Sequence, residues 1–160
     1  VILLFDPNAQ GLHGTNEARA FGELEPFTQQ QAHELAHAVV MRALPAVAEQ
    51  DLAAFGAAIN LIQQVIGDYF AAAQGGRYTS ARVADMLSWL QSQGVPCVGQ
   101  TSWGPTGFAI VADEAQAKDL LKSAARRLRS AGLECKICKA RNRGASIEQR
   151  PIQAAAQAAG

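Results

Sequence analysis

The 160-residue sequence has no surplus of charge: 14 Lys and Arg balance 14 Asp and Glu. That balance argues against a surface built to draw nucleic acid or an anionic membrane by long-range attraction. Aromatic residues make up only 6% of the chain, and no aromatic-rich strand of the kind that stacks bases is present. No apolar run approaches the roughly 20 residues of a transmembrane helix. No secretory signal pattern is visible either. Cysteine is scarce: Cys97, Cys135 and Cys138 form an odd set without a paired framework, which points to a reducing, cytoplasmic setting. The chain opens on Val1 rather than methionine and reads as a segment of a longer protein.

What is present fits one domain of ordinary size. Val1 to Phe5 is a continuous apolar run, read as a buried strand closed by Asp6-Pro7-Asn8. Residues 8–27 read as loop. Thr28, with Gln31 three residues on, is a capping box. The helix it opens carries Ala32, Leu35, Ala36, Val39, Val40, Leu44 and Val47 at helical spacing, with a kink expected at Pro45. A second helix from about Leu52 to Ala73 has a wide apolar stripe, including Phe55, Ile59, Ile62, Ile66 and Phe70. A third starts near Thr79 or Ser80 and stops at Gly94. A fourth is capped by Asp113 and ended by Gly132. Two apolar runs, residues 95–98 and 108–111, and the alternating residues 133–137 complete four strands. The fold expected is α+β: a two-layer sandwich with a ferredoxin-like, four-stranded antiparallel sheet and helices on one face. Residues 1–140 form the domain, and residues 141–160 read as a basic, then Ala/Gln-rich tail.

The loop between the middle strands is the most distinctive stretch: Gly99-Gln100-Thr101-Ser102-Trp103-Gly104-Pro105-Thr106-Gly107. Glycines let a backbone approach a ligand and turn N–H groups toward it, and three hydroxyls add donors. Phosphate or carboxylate oxygens suit such a loop, and Trp103 offers cover for an aromatic or sugar ring. The plainer alternative is a glycine-rich hairpin whose Trp packs on the core. No lysine lies here and a strand follows, so neither a Walker A loop nor a dinucleotide fingerprint is present.

Three other features compete for chemistry. His33-Glu34-Leu35-Ala36-His37 has the zinc-hydrolase spacing, two imidazoles one turn apart with Glu34 as base. The alternative is ordinary boundary residues, since the one further histidine, His13, lies upstream. Cys135-Lys136-Ile137-Cys138 has redox or metal spacing but sits in a predicted strand with no second pair, which favours plain buried or edge cysteines. Arg126, Arg127, Arg129, Lys136, Lys139, Arg141 and Arg143 read as a solvated basic face.

The glycine loop, the stretch from Met41 to Gln63, and Gly11-Leu12-His13-Gly14 followed by Glu17 and Phe21 together resemble the beta-ribofuranosylaminobenzene 5'-phosphate synthase family, a branch of the GHMP kinase superfamily. The resemblance spans roughly residues 1–140, and its motifs fall in the expected order. It implies the C-terminal lobe of an enzyme that joins phosphoribosyl pyrophosphate to 4-aminobenzoate or a related benzoate. Carbon dioxide and pyrophosphate leave, in an early step toward tetrahydromethanopterin. The N-terminal lobe's Pro-x-x-x-Gly-Leu-Gly-Ser-Ser motif is absent, so that lobe is expected as a missing partner and the fragment alone as inactive. Kinase members have a more uniformly glycine-rich late loop, and an ATP-dependent small-molecule kinase lobe is the alternative. The resemblance implies that Gly99, Thr101, Ser102, Gly104 and Thr106 bind phosphate or carboxylate oxygens, that Trp103 stacks on the benzoate, and that Gln100 orients a hydroxyl. It also implies magnesium, with ATP an open question. The alanine-rich helices suit close packing in a homodimer. Neither nucleic acid nor a membrane is expected as a partner.

Overall fold

The computed structural model describes residues 1–141 and 143–147. The expected tail therefore lies largely outside the described residues. The chain runs β1 (Ile2–Phe5), α1 (Gly14–Glu23), α2 (Gln29–His37), a π-helical segment (Ala38–Ala43), α3 (Leu44–Glu49), α4 (Leu52–Gln74), α5 (Ala81–Ser92), β2 (Cys97–Gln100), β3 (Gly107–Ile110), α6 (Glu114–Ala131) and β4 (Glu134–Ile137). The sheet order is β2-β3-β1-β4 with every neighbouring pair antiparallel, which is the split βαβ arrangement expected.

Alternation along each strand sends one set of side chains to a single face. Ile2 stands opposite Ala109 and Ile137, and Leu4 opposite Gly107 and Cys135. Ile2, Leu4, Val98 and Ala109 are buried under Val83, Met86, Leu87 and Leu90 of α5 and Ala117, Ala124 and Leu128 of α6. A Cβ on Gly107 would lie 2.5 Å from Val83, so glycine is what lets α5 sit this close. The opposite face, carrying Leu3, Phe5, Phe108 and Ile110, is only half-buried.

The longest helix, α4, lies along the free edge of β2. Asn60 Nδ2 donates to the Pro96 carbonyl (2.8 Å), its Oδ1 accepts from the Val98 N–H (3.1 Å), and Gln63 Oε1 accepts from the Gln100 N–H (2.9 Å). Two side-chain amides thus occupy the outward backbone groups that a fifth strand would pair, and the edge is closed. Contact is close because Gly56 packs on Pro96, where a Cβ would collide with the backbone. The apolar stripe read on α4 is there, but only Gly56, Ala58 and Gly67 are buried, and Phe55, Ile59, Ile62 and Ile66 are half-exposed.

Local signals held where the capping chemistry was explicit. The Thr28–Gln31 capping box is formed, and Asp51, Ser80 and Asp113 cap α4, α5 and α6 through the N–H groups of Ala54, Val83 and Gln116. Gly75, Gly94 and Gly132 take positive φ just past helix ends. Two readings need correction. Residues 14–23, read as loop, form α1; its own sequence is weak, with two glycines and one buried residue, Ala20. The disturbance expected at Pro45 takes the form of a widened turn upstream, in which the Leu44 N–H bonds back to Val39. Proline lacks the N–H to bond Met41 and crowds that carbonyl, and a wider turn relieves the clash. Cys135, in the alternating set with Leu133 and Ile137, is exposed because β4 is an edge strand.

Asp6 ties the end of β1 to the start of α5. Its carboxylate accepts from Ser80 Oγ (2.6 Å) and the Asn8 N–H (3.0 Å), and Arg82 lies 3.6 Å away. The Ser80 hydroxyl above all, then the Asn8 N–H and Arg82, holds this carboxyl below its ordinary 3.8 against the opposing effect of burial. A carboxyl depressed in the folded state stabilises above its unfolded pKa, and that contribution fades as pH falls through the folded value. Urea midpoints measured from ~pH 5 down to ~pH 2 should therefore fall more steeply for the wild type than for Asp6→Asn below the ordinary 3.8.

The edge contact makes a second prediction. Asn60→Leu leaves the Val98 N–H and the Pro96 carbonyl without their partner. Urea unfolding should show a loss of about 2–4 kcal/mol, whereas exposed Gln64→Leu should change stability by less than about 0.5 kcal/mol.

Candidate functional site

The glycine loop closes the β2–β3 hairpin, and its shape is fixed by hydrogen bonds that run inward. The Thr101 N–H donates to Thr106 O (2.9 Å) and the Gly104 N–H to Thr101 O (2.6 Å). Thr79 Oγ1 donates to Trp103 O (2.6 Å). Ser102 takes φ +40° and Gly104 φ +66°, the left-handed region, and the Gly104–Pro105 peptide is cis. A Cβ on Gly104 would lie 2.5 Å from Gln100 Oε1, so both conformation and space demand glycine there.

Gln100 is the hub beneath the loop. It is 6% exposed. Its Oε1 accepts from the Thr79 N–H (2.8 Å), and its Nε2 donates to Gln74 Oε1 (3.1 Å) and Ser102 O (3.3 Å). The amide is thereby spent on the protein. Gly99 is held by close approach: a Cβ there would lie 2.6 Å from both Gln63 and Phe108.

Trp103 turns inward and is 8% exposed. Its indole N–H donates to Glu17 Oε1 (2.9 Å). Its ring meets Phe70 at 4.5 Å and Phe21 at 5.4 Å between centroids, both edge-on. Tyr69 and Phe27 extend the same cluster, so five of the chain's ten aromatics gather behind this loop. Such edge-on pairs add about 0.5–1.5 kcal/mol each beyond the area they bury. Trp103 in this arrangement anchors the loop from below. Facing outward are the exposed Thr101 and Ser102 and the half-exposed Thr106, with the backbone between them.

The three stretches that resembled one family meet here. Gly11 packs on the loop, where a Cβ would lie 2.5 Å from Gly104 O and 2.7 Å from Trp103 O. Glu17 and Phe21 of α1 hold Trp103, and Gln63 of α4 holds the Gln100 backbone. Gln74 and Thr79 also support the loop. Neither carries a sequence signal, because each acts through a contact far from it along the chain.

The other candidates stand apart. His33 and His37 lie exposed on α2, and among the described residues no group of three His, Cys, Asp or Glu is placed to hold a metal. The loop offers hydroxyls and backbone groups, and the Glu17 carboxylate is engaged by Trp103. These residues do not make a magnesium site. Burial pushes the Cys97 thiol up to about 11, which leaves it inert at neutral pH. Within the basic group, Arg127 stacks over Trp89 (5.7 Å) and Lys139 pairs with Glu114 (3.0 Å). Lys118, then Lys139, draws the Glu114 carboxyl down to about 2. Among the described residues no helix is long and apolar enough to cross a membrane.

A four-stranded antiparallel sheet of this order, with a glycine-rich hairpin braced by the first helices, defines the class. Residues 43–130 match the family model for the C-terminal region of GHMP kinases, and the chain belongs to that family. It is similar to beta-ribofuranosylphenol 5'-phosphate synthase of Archaeoglobus fulgidus, with 31% identity over 149 residues, 92% of this chain and 44% of the relative. The enzyme of the same name from Methanothermobacter thermautotrophicus is 26% identical over 110 residues, 69% of this chain and 32% of the relative. The chain thus spans less than half the length of these curated relatives.

Because Gln100 carries the loop, its loss should be costly. Gln100→Leu strands the Thr79 N–H and the Ser102 carbonyl. Urea unfolding should show a loss of about 2–4 kcal/mol.

Proposed function

We propose that this chain is the C-terminal lobe of an enzyme that condenses phosphoribosyl pyrophosphate with a benzoate. The observation that carries the reading is the convergence of the three family-like stretches on one loop. The names of the two relatives support it. In this reading the ring carbon bearing the carboxylate attacks the anomeric carbon, and pyrophosphate leaves with the bonding pair. Carbon dioxide then departs, and the electrons of its bond restore the aromatic ring. Negative charge grows on the leaving group as the anomeric carbon gains oxocarbenium character. Fixed donors aimed at that charge lower the barrier without reorganising.

The outward hydroxyls of Ser102 and Thr106 supply donors for phosphate or carboxylate oxygens, joined by Thr101 Oγ1 when it releases Thr106 O (3.3 Å), while Gly99 and Gly104 give the loop its shape. Trp103 and Gln100 serve this site from beneath by holding the loop. Any magnesium would enter with the pyrophosphate or be held by the rest of the intact protein. That remainder includes the N-terminal lobe, the partner this reading requires. The product belongs to the route toward tetrahydromethanopterin, and the setting is cytoplasmic. The relatives are named for a phenol product. A 4-hydroxybenzoate therefore stands beside 4-aminobenzoate as the benzoate to try.

The matched family is one of kinases, and this favours one second reading: the lobe of an ATP-dependent small-molecule kinase. One assay separates the two. The intact protein is given phosphoribosyl pyrophosphate, magnesium and carboxyl-labelled 4-aminobenzoate or 4-hydroxybenzoate. Carbon dioxide release that depends on both substrates is expected, with kcat/KM lowered on the order of 100-fold in Gly104→Val. Folded protein that releases none but turns over ATP would replace this reading with the kinase. Unchanged kcat/KM in both Ser102→Ala and Gly104→Val would remove the loop from the site.

A further inference from the structure

Helices α5 and α6 lie side by side over the sheet, and on the side away from it they leave a groove of about 610 Å³. Small-molecule sites are of this size. Arg82, Asp85, Met86 and Trp89 recur at i, i+3, i+4 and i+7, so a single face of α5 makes one wall. Arg126, Arg127 and Ser130 of α6 belong to the other. Met86, 2% exposed, is the floor.

The charge in this groove is one-sided. Three guanidiniums face one carboxylate, Asp85, on a chain whose acidic and basic residues are equal in number. Each guanidinium still has donors to give. Arg82 stands 3.6 Å from Asp6, an ion pair beyond hydrogen-bond reach. Arg127 lies over the Trp89 ring at 5.7 Å from its centroid. Arg126 is exposed and has no ion-pair partner among the described residues. Among those residues Arg77 is the arginine whose N–H groups are bonded to protein, and those of Arg82, Arg126 and Arg127 are not.

A guanidinium presents a planar fork of donors that matches phosphate oxygens. Contact with Trp89 holds the Arg127 fork in place before any ligand arrives, and Ser130 adds an exposed hydroxyl. The contact has a second consequence. One side of the Arg127 guanidinium is against the indole, and its exposed side is free for a planar ring, which stacks on arginine as it does on an aromatic. Asp85 offers acceptors for sugar hydroxyls. From Arg82 to Trp89 the wall runs about 10 Å along α5, the reach of a nucleoside monophosphate from phosphate to base.

We propose that the α5–α6 groove binds a phosphorylated small molecule bearing a planar ring, a nucleoside monophosphate in its simplest form, with the phosphate on the guanidiniums and the ring on Arg127. The groove lies on the outer face of the helical layer, whereas the glycine loop closes the β2–β3 hairpin. The two sites are separate, and this one does not depend on which reaction the loop serves.

Isothermal titration of the intact protein with AMP tests the assignment. Binding with a Kd on the order of 0.1 mM is expected. Inorganic phosphate, which has no ring to stack, should bind about 10-fold more weakly. Arg126→Ala and Arg127→Ala should each raise the Kd for AMP on the order of 10-fold, with unchanged far-ultraviolet circular dichroism because both side chains are exposed. Ser102→Ala, in the loop, should leave the Kd unchanged. Folded protein that takes up no AMP at millimolar concentration overturns the proposal. Binding that both arginine variants leave unchanged, or that Ser102→Ala abolishes, overturns it as well, since the ligand then sits elsewhere. Inorganic phosphate bound as tightly as AMP overturns the place given to the ring.

Discussion

The architecture depends on one contact, the closure of the β2 edge by Asn60 and Gln63. The sheet consists of four-residue strands, too short to hold the glycine loop firmly through strand pairing alone. With both amides bonded to the edge, α4 becomes a rigid rail along β2. Everything at the glycine loop is then referred to that rail. Gln63 grips the Gln100 backbone, Gln74 at the helix end grips the Gln100 side chain, and Phe70 supports Trp103. Helix α1 closes the arrangement from the other side through Glu17, Phe21 and the Gly11 approach.

This division of labour gives the loop its character. Inward-facing groups are consumed in holding shape, and small hydroxyls are left facing outward. Two side chains with the most eye-catching chemistry in the sequence, Trp103 and Gln100, lie on the inward side. The outward side is Thr101, Ser102 and Thr106. Among the groups that face outward there is no carboxylate, imidazole or amine, only hydroxyls and backbone.

The chain also leaves much of its apolar surface half-covered: the sheet face bearing Leu3, Phe5, Phe108 and Ile110, the flank of α4, and the outer ridge of α3. At roughly 25 cal/mol per Å² of apolar area removed from water, such surfaces carry a steady drive to be buried. A chain that spans 44% of a curated relative has more than one way of satisfying it.

Much of the fold was legible because its signals are local. Thr28, Ser80 and Asp113 satisfy orphan N–H groups within their own helices, and Gly94 and Gly132 end helices by their own φ. Apolar alternation and length located all four strands. Helix α1 escaped because its stability comes from Trp103, some 86 residues away in sequence, rather than from its own pattern. Composition and spacing drew attention to the glycine loop but left open whether Trp103 faces a ligand or the core. Sequence by itself thus determined the limits of α4, α5 and α6, the start of α2, the strand set and the identity of the loop, since caps, turns and alternation act between near neighbours. Only the tertiary structure decided that α4 substitutes for an edge strand, that Gln100 and Trp103 serve from beneath, and that the large residues of α3 point outward. Those outcomes rest on pairings between distant segments, where space and unpaired backbone groups, not local preference, select the partner.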